Sequence, residues 1–189
     1  GICVHTLGVP CQLVQIGDGL MLEDACAALG SARQGRKVGT LGAMASFSFY
    51  YAHQMSTIEG GMVVTDDEVL ADVLRLIRAH GWGADLEAGH EAVWWKEHGR
   101  DRWDFDRKFT FYLPGMNVRP MEIQAFLGLR QLERIEEMID QRSANDAHYR
   151  KNLSGSQFIL QHPAEDDVVC SIAVGVLAAS PEHRAKVAY

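Results

Sequence analysis

The feature that most constrains this chain is the stretch at residues 47–67, FSFYYAHQMSTIEGGMVVTDD, which places one histidine and two adjacent glycines between two apolar runs. Apolar and polar residues alternate over residues 45–50, and residues 62–64 form a second short run that contains β-branched side chains. Gly60 and Gly61 mark a tight turn before that second run. The stretch therefore predicts a strand, a loop and a second strand, with His53 on the loop.

His53 is the first candidate functional residue. Loops on a rigid scaffold carry a large share of binding and catalytic side chains. Imidazole is also the side chain whose charge changes most readily near neutral pH. The alternative is a structural or solvated histidine, and residue type alone leaves both interpretations open.

A second candidate site follows the apolar run at residues 20–22, which predicts a buried strand that ends in the acidic pair Glu23 and Asp24. Ligands of open α/β sheets bind at the carboxyl ends of the strands, where this pair is expected. If the chain stays extended, a period of two puts the side chains of Asp24 and Cys26 on one face. The alternative is that Asp24 caps the small-residue segment at residues 25–28.

Two further local patterns lie close to these candidates. Four glycines are interspersed with basic residues over residues 30–42, which predicts a loop or short hairpin and fits neither a GxGxxG motif nor a P-loop. Thr65 as N-cap and Glu68 form a capping box that predicts a helix. Apolar residues continue at helical spacing to Ile77, and Gly81 is the expected end of the helix.

The pattern changes twice in the second half of the chain. Residues 82–111 hold all four tryptophans without sustained periodicity, which predicts a long binding or interface loop. Pro120 predicts the first turn of a helix whose apolar stripe extends to about residue 140, with helix continuing to residue 153. Beyond Gly155 short apolar runs return, so a domain boundary is expected near residue 154.

Composition argues against several functional classes. The 189 residues carry a net charge of −7 and form no basic face for nucleic acid. The longest apolar run, residues 168–179, is too short to span a bilayer and predicts a buried strand. The four cysteines are dispersed, which predicts reduced thiols, and the spacing of His90 and His98 matches no helical metal pair. Residues 1–6 show no signal-peptide pattern, so a cytoplasmic protein without a membrane partner is the default expectation.

Five motifs, in one order along the chain, resemble the DegT/StrS family of pyridoxal-phosphate-dependent nucleotide-sugar aminotransferases. They are LEDACAALGS at residues 22–31, GRKVGTLG at 35–42, FSFYYAH with EGGMVVTDD, RAHGW at 78–82, and GMNVRPMEIQAFLGLRQLERI at 115–135. The resemblance, over roughly residues 18–153, implies an α/β fold of the aspartate-aminotransferase type (fold type I). Residues 1–153 would form part of the large cofactor-binding domain, including the long connecting helix. Residues 154–189 would begin a small α+β domain, so that the chain is expected to be a fragment.

The resemblance also implies roles for individual residues. Asp24 matches the aspartate that pairs with the pyridine nitrogen of the cofactor, and Cys26 matches a residue packed on the face of its ring. Ser48 matches the serine that hydrogen-bonds the cofactor phosphate, and Asn117 an asparagine that reaches this phosphate from a second subunit. A homodimer with shared active sites is therefore implied.

His53 stands where most members of this family have the lysine that forms the internal Schiff base. An imidazole forms no stable imine with an aldehyde, but it can move protons near neutral pH. Members with this replacement are C-3 dehydratases of 4-keto-6-deoxy nucleotide sugars. The resemblance thus implies loss of a hydroxyl group from the sugar, with His53 as the general base.

Cysteines separate the two types of such dehydratase. The iron–sulfur type carries three cysteines just beyond the segment that matches RAHGW, whereas residues 84–106 contain none. The resemblance therefore implies the type without an iron–sulfur cluster, which acts on a GDP-linked sugar. Such an enzyme alternates between pyridoxal and pyridoxamine phosphate and takes its amino group from glutamate. For this chain, the nucleotide and the hexose stay open.

Two alternatives remain at this point. Ala27 replaces a glutamine or glutamate that is usual close to the cofactor, and Ala27 together with His53 would mark an inactive relative that binds a nucleotide sugar or a partner. The other alternative is a transaminase that uses a different amine. It is the less favoured of the two, because every lysine of the chain lies outside the FSFYYAH motif that carries His53.

Overall fold

The computed structural model describes residues 1–14, 17–87, 89–98 and 109–187. They fall into two compact units, one comprising Gly1–Val64 with Glu122–Tyr189 and the other Thr65–Met121. The strands, in chain order, are β1 (Ile2–Val4), β2 (Leu22–Asp24), β3 (Ala32–Arg33), β4 (Arg36–Lys37), β5 (Met44–Ser48), β6 (Gly61–Val64), β7 (Phe158–Leu160) and β8 (Val176–Ala178). The helices are α1 (Glu68–Arg78), α2 (His90–His98), α3 (Glu122–Leu132), α4 (Ile135–Leu153) and α5 (Pro181–Val187). The expected domain boundary near residue 154 stays a prediction.

A four-stranded sheet organises the first unit. Its spatial order is β1-β2-β5-β6, in which β1, β2 and β5 are parallel and β6 runs antiparallel to β5. The predicted strand, loop and strand around His53 are confirmed as β5, residues 49–60 and β6. On one side, Phe47 of β5 packs against a buried cluster formed by Ala25, Ala28 and Val38.

The glycine-rich segment forms the predicted hairpin. Strands β3 and β4 pair antiparallel across Gln34 and Gly35, whose φ angles of 50° and 74° are both left-handed. Positive φ at both central residues is the requirement of a type I′ turn, which matches the twist of paired strands. The hairpin is joined to the rest of the unit by a bridge between Ala32 and Val168.

The prediction of a buried strand over residues 168–179 is wrong for most of that run. Only Val176–Ala178 is a strand, and Leu177 is exposed. Cys170 is buried, but its amide donates to the Ser31 hydroxyl and its carbonyl accepts from Gln54. Side chains therefore satisfy the backbone polar groups that a strand ladder would otherwise pair.

The long helix predicted after Pro120 is also corrected. Helix α3 begins at Glu122, two residues beyond the proline, and the chain leaves helical geometry at Arg134 (φ −122°, ψ 11°) before α4 begins. The predicted apolar stripe is not a continuous buried face either. Four large apolar side chains of α3 are exposed, namely Ile123, Phe126, Leu129 and Leu132.

In the second unit, α1 is confirmed but its predicted cap is wrong. Asp67 is the N-cap, since its carboxylate accepts from the amide of Leu70 at 3.0 Å. Thr65 lies in the preceding turn, where its hydroxyl accepts from the Asp67 amide at 3.2 Å. The helix ends near Gly81 as predicted, with the Gly81 amide donating to the carbonyl of Leu76.

The prediction of a long loop over residues 82–111 is wrong at α2. The buried carboxylate of Asp72 lies 2.8 Å from Nδ1 of His90 and accepts from the indole of Trp94 at 3.2 Å, which fastens α2 to α1. Such contacts join distant positions and leave no local periodicity in the sequence. Residues 99–108, including Trp103, lie outside the described residues, as do the side chains of Trp95 and His98.

Candidate active site

The carboxyl ends of β2 and β5 lie at one edge of the sheet, because the two strands are parallel neighbours. Asp24 ends β2 and is in register with Ser46, while Ser48 ends β5. Side chains of a strand alternate between its faces, so Asp24, Ser46 and Ser48 share one face. Glu23 lies on the other face, so the two carboxylates of the acidic pair lie in different environments.

Glu23 is a buried carboxylate that accepts four hydrogen bonds. Its Oε1 accepts from the amides of Leu41 (2.7 Å) and Gly42 (2.6 Å), and its Oε2 accepts from the amide of Gly39 (2.8 Å) and Nε2 of His5 (3.0 Å). Burial alone would raise the pKa of Glu23, but these donors together hold that pKa below its ordinary value. Glu23 thereby fixes the loop at residues 39–42 to β2.

His5 is the fully buried partner of this carboxylate. Its Nδ1 accepts from the amide of Cys11 at 2.9 Å, so the ring proton resides on Nε2 and is donated to Glu23. The ring is therefore neutral. Sequence inspection missed this pair, and only the alternation of side chains along β2 could have separated Glu23 from Asp24.

Asp24 lies on the opposite face and is half-buried. Its Oδ1 accepts from the amide of Cys26 at 3.1 Å, and the chain turns at that point. The condition that residues 24–26 stay extended is not met, because the chain enters a turn at Cys26, after the Ala25 amide has donated to the Ser46 carbonyl. The contact with Cys26 fits the capping interpretation of Asp24, and its predicted ligand role stays a prediction.

Cys26 follows in this turn. Its Sγ lies 3.6 Å from the hydroxyl of Ser46 and donates to the Ser46 carbonyl at 3.8 Å. Burial, and next its hydrogen bond with Asp24, raises the pKa of the Cys26 thiol. Cys26 is therefore a neutral thiol beside the Asp24 carboxylate.

Ser48 and His53 are brought to the same edge by β5 and the loop that follows it. The Ser48 hydroxyl accepts from the amide of Tyr50 at 3.2 Å, and the Tyr50 carbonyl accepts from the amide of His53 at 3.0 Å. The His53 ring stands edge-on to the Tyr50 ring, with 6.0 Å between centroids. Its Nδ1 is buried and makes no hydrogen bond within the described part of the chain.

Three glutamines that sequence inspection missed hold this loop in place. Gln54, beside His53, is buried and donates to the carbonyls of Ala27 (2.7 Å) and Cys170 (2.8 Å). Gln131 of α3 accepts from the Ser56 amide at 2.9 Å and donates to the Ser56 carbonyl at 2.7 Å. Gln124 donates to the carbonyl of Glu59 at 2.6 Å. The spacing of Gln124, Gly128 and Gln131 on one helical face was the available signal.

Asn117 belongs to the second unit, whereas the other predicted site residues belong to the first. It is exposed and forms an isolated bridge with Ala79. Its predicted contact with a cofactor phosphate stays a prediction. Across the residues described, no cluster of three or more histidine, cysteine or acidic side chains is arranged to hold a metal ion. The helices described there also include none with the length and apolar character needed to cross a membrane.

Comparison with known proteins yields a family match over almost the whole chain. The model of the DegT/DnrJ/EryC1/StrS aminotransferase family matches residues 2–188. Among curated proteins, GDP-4-keto-6-deoxy-D-mannose 3-dehydratase of Yersinia pseudotuberculosis is 33% identical over 193 residues, which cover 98% of this chain and 48% of the relative. GDP-perosamine synthase of Caulobacter vibrioides is 35% identical over 135 residues, covering 71% of this chain and 31% of the relative.

Among solved structures, the E. coli GDP-4-keto-6-deoxy-D-mannose-3-dehydratase with bound hydrated PLP superposes with a TM-score of 0.80 at 30% identity. The alignment covers 95% of this chain and 46% of that chain. This similarity confirms the expected α/β fold of the aspartate-aminotransferase type. The chain spans about half the length, or less, of the relatives it matches.

Proposed function

The chain belongs to the DegT/DnrJ/EryC1/StrS aminotransferase family, and from this membership we propose that it forms part of a pyridoxal-phosphate-dependent C-3 dehydratase of a 4-keto-6-deoxy nucleotide sugar. The observation that carries the proposal is His53 on the β5–β6 loop, which begins at the sheet edge that presents Asp24 and Ser48. The dehydratase names of the Yersinia relative and the E. coli structure support it. The activity is assigned to the complete gene product that contains this chain.

The side chains at this edge fit the cofactor. Asp24 offers a carboxylate on the open face of β2, suited to a protonated pyridine nitrogen. The Ser48 hydroxyl accepts from an amide, so its own proton remains available to a phosphate oxygen. The buried Nδ1 of His53, without a hydrogen-bond partner in the described residues, is the kind of atom that a bound group satisfies.

The chemistry divides between the cofactor and the chain. Pyridoxamine phosphate, when bound, supplies an amine that condenses with the 4-keto group and a ring that accepts electrons. Asp24 would pair with the ring nitrogen, Ser48 would hold the phosphate, and Cys26, a thiol whose pKa is raised, would lie against the ring. His53 would act as general base toward the cofactor methylene and, once protonated, as general acid toward the C-3 hydroxyl, which would leave as water.

The remaining assignments complete the cycle. Hydrolysis would release ammonia and a 3-deoxy-4-keto sugar and leave the aldehyde form of the cofactor, and glutamate would restore the amine and depart as 2-oxoglutarate. Asn117 is assigned to the phosphate of the neighbouring active site in a homodimer. His53 has no amine with which to bind the cofactor covalently, so elimination of the hydroxyl is favoured over release of an amino sugar.

The test uses the complete gene product with glutamate and a 4-keto-6-deoxy nucleotide sugar, with the product identified by mass. The His53→Asn variant is expected to bind the cofactor and to lose about two to four powers of ten in rate, because it lacks the general base. Borohydride is expected to leave the cofactor unattached to the chain. Covalent fixation by borohydride would contradict the proposal. No product from an intact, cofactor-loaded dimer would identify an inactive binding protein.

A nucleotide-sugar aminotransferase is the second candidate, because the Caulobacter relative is named as a GDP-perosamine synthase. The two reactions give products of different mass, since one removes oxygen at C-3 and the other places an amine at C-4. An amino sugar from the unaltered enzyme would establish the aminotransferase. The His53→Lys variant provides the matched comparison, because it restores an amine at the same loop position and is expected to shift the products toward an amino sugar.

A further inference from the structure

We infer that α3 positions the His53 loop, and that Gln131 is the positioning residue through which it acts. The inference rests on the proposed role of His53 as general base. Gln131 touches none of the side chains assigned to the reaction. The side chain of Gln131 accepts from the backbone amide of Ser56 and donates to the backbone carbonyl of Ser56, which lies three residues beyond His53.

One face of α3 contacts the loop that carries His53. Gln124, Gly128 and Gln131 recur at four and three residues, so they lie in a row along the helix. Gly128 is buried, and a Cβ there would lie 3.3 Å from the Thr57 methyl group, so the helix and the loop are in close approach. Four large apolar side chains of α3 are exposed, and Leu127, which lies on the face of the glutamines, is half-buried. Hydrogen bonds join Gln124 and Gln131 of this face to the backbone of the loop.

The His53 ring depends on this backbone anchorage. Its Nδ1 has no hydrogen-bond partner among the described side chains, and its aromatic neighbour Tyr50 belongs to the same loop. The backbone of the loop pairs internally at three points, from the His53 amide to the Tyr50 carbonyl, from the Thr57 amide to the Phe49 carbonyl and from the Phe49 amide to the Gly60 carbonyl. Movement of Ser56 would therefore carry the imidazole with it.

Gln54 is the other strong anchor of the loop, but it is less suited to a test. It is 2% exposed and joins His53 to the Ala27 turn and the Cys170 segment, so its loss would disturb the interior of the unit. Gln131 is only half-buried. Loss of its hydrogen bonds is therefore expected to disturb the interior less than loss of those of Gln54.

The experiment compares Gln131→Met with Gln141→Met in the complete gene product without added cofactor. Gln141 lies on α4, is exposed and bonds to Asn145, so it controls for the substitution itself. Hydrogen exchange of the peptide containing residues 50–60 is followed by mass spectrometry. Loss of the Ser56 bonds is expected to speed exchange about tenfold in Gln131→Met and to leave Gln141→Met unchanged.

A second readout separates positioning from general support of the fold. The imidazole resonance of His53, assigned with the His53→Asn variant, is expected to shift or broaden in Gln131→Met, while the other histidine resonances hold. In the loaded enzyme, kcat is expected to fall about tenfold with KM retained, because the base is displaced and substrate contacts are not.

Unchanged loop exchange with an unchanged His53 resonance would overturn the inference, as would equal changes in Gln141→Met. If Gln131→Met does not fold, Gln131→Glu replaces it. That variant keeps an acceptor for the Ser56 amide and loses the donor to its carbonyl, so a smaller change in the same direction is expected. Faster exchange in Gln131→Met together with a fully active His53→Asn enzyme would reject the proposed function and retain the positioning role of Gln131. Unchanged exchange in Gln131→Met together with an inactive His53→Asn enzyme would reject the positioning role alone.

Discussion

Glu23 and Asp24 are neighbouring acids of one strand, yet β2 presents them to opposite faces of the sheet. Glu23 is 2% exposed and accepts four hydrogen bonds, whereas Asp24 is half-buried and accepts from the amide of Cys26. A carboxylate that is buried with a full set of donors belongs to the fold, since removing it leaves those donors unsatisfied. A carboxylate with fewer donors keeps the capacity to bind a ligand. The role of each of two adjacent acidic residues in a strand therefore depends on the face of the sheet on which its side chain lies.

The largest expected effect comes from exchanging the buried acid for its amide. Glu23→Gln should lower the free energy of unfolding by about 2–6 kcal/mol, because the new NH₂ group would face two of the donors that Glu23 now accepts from, and each buried unsatisfied donor costs about 1–3 kcal/mol. Urea denaturation of the chain measures this change. Equal, small losses in Glu23→Gln and Asp24→Asn would remove the distinction between the two faces.

A substitution at Gly39, a backbone donor to Glu23, should lower the free energy of unfolding by less. Gly39 donates to Glu23 with φ of +97°, and a Cβ there would collide with the Phe47 ring. Gly39→Ala should therefore lower the free energy of unfolding by about 1–3 kcal/mol. Gly35→Ala is the matched control, since Gly35 also has a positive φ but nothing lies within 4 Å of an added Cβ. Equal losses in the two variants would show that the contact around Glu23 has no part in the effect.

Protonation of Glu23 should have a smaller effect, because the carboxyl group stays in place. Its pKa is lowered in the folded chain, so the folded state binds fewer protons than the unfolded state near this pKa. The contribution is complete above the ordinary carboxyl pKa of about 4.3 and is lost as pH falls through the lowered folded value. Denaturation between about pH 6 and pH 3 should show a steeper loss of stability in the unaltered chain than in Glu23→Gln. Parallel curves would contradict the assignment.

The smallest expected change in stability is that of Asp24→Asn, below about 1 kcal/mol, because the introduced amide oxygen can still accept from Cys26. Under the proposed function, the same variant should lose most of its turnover, since an uncharged partner leaves the pyridine nitrogen unprotonated. Denaturation and the dehydratase assay measure the two effects on one preparation. A loss of stability with unchanged turnover would return Asp24 to a capping role.

Local patterns predicted the parts of the molecule whose partners are close in sequence. Strands β5 and β6 and the loop that carries His53 follow from alternation and a glycine pair, and the hairpin at β3 and β4 follows from Gly35. Asp24 lies at the carboxyl end of a strand, as the sequence predicted, and Ser48 ends a parallel strand of the same sheet. The roles assigned to these side chains came from the family resemblance and stay predictions.

What the patterns missed depends on contacts between distant positions. Glu23 is satisfied by His5 and by residues 39–42, and α2 is fastened by Asp72, eighteen residues before His90. The face of α3 was obscured for a different reason. Its large apolar residues dominate the pattern, but its hydrogen bonds with the loop come from two glutamines, and a glycine lies between them at the close approach to Thr57.

The hydrogen bonds between Gln131 and Ser56 have an evolutionary consequence. They engage a backbone amide and carbonyl, a pair that every residue except proline possesses, so they do not depend on which side chains the loop carries. A substitution at position 53 can therefore replace an imidazole with an amine while the loop keeps its path. Under the proposed function, geometry depends on α3 and reactivity on residue 53, so a change of one codon would redirect the chemistry within the same fold.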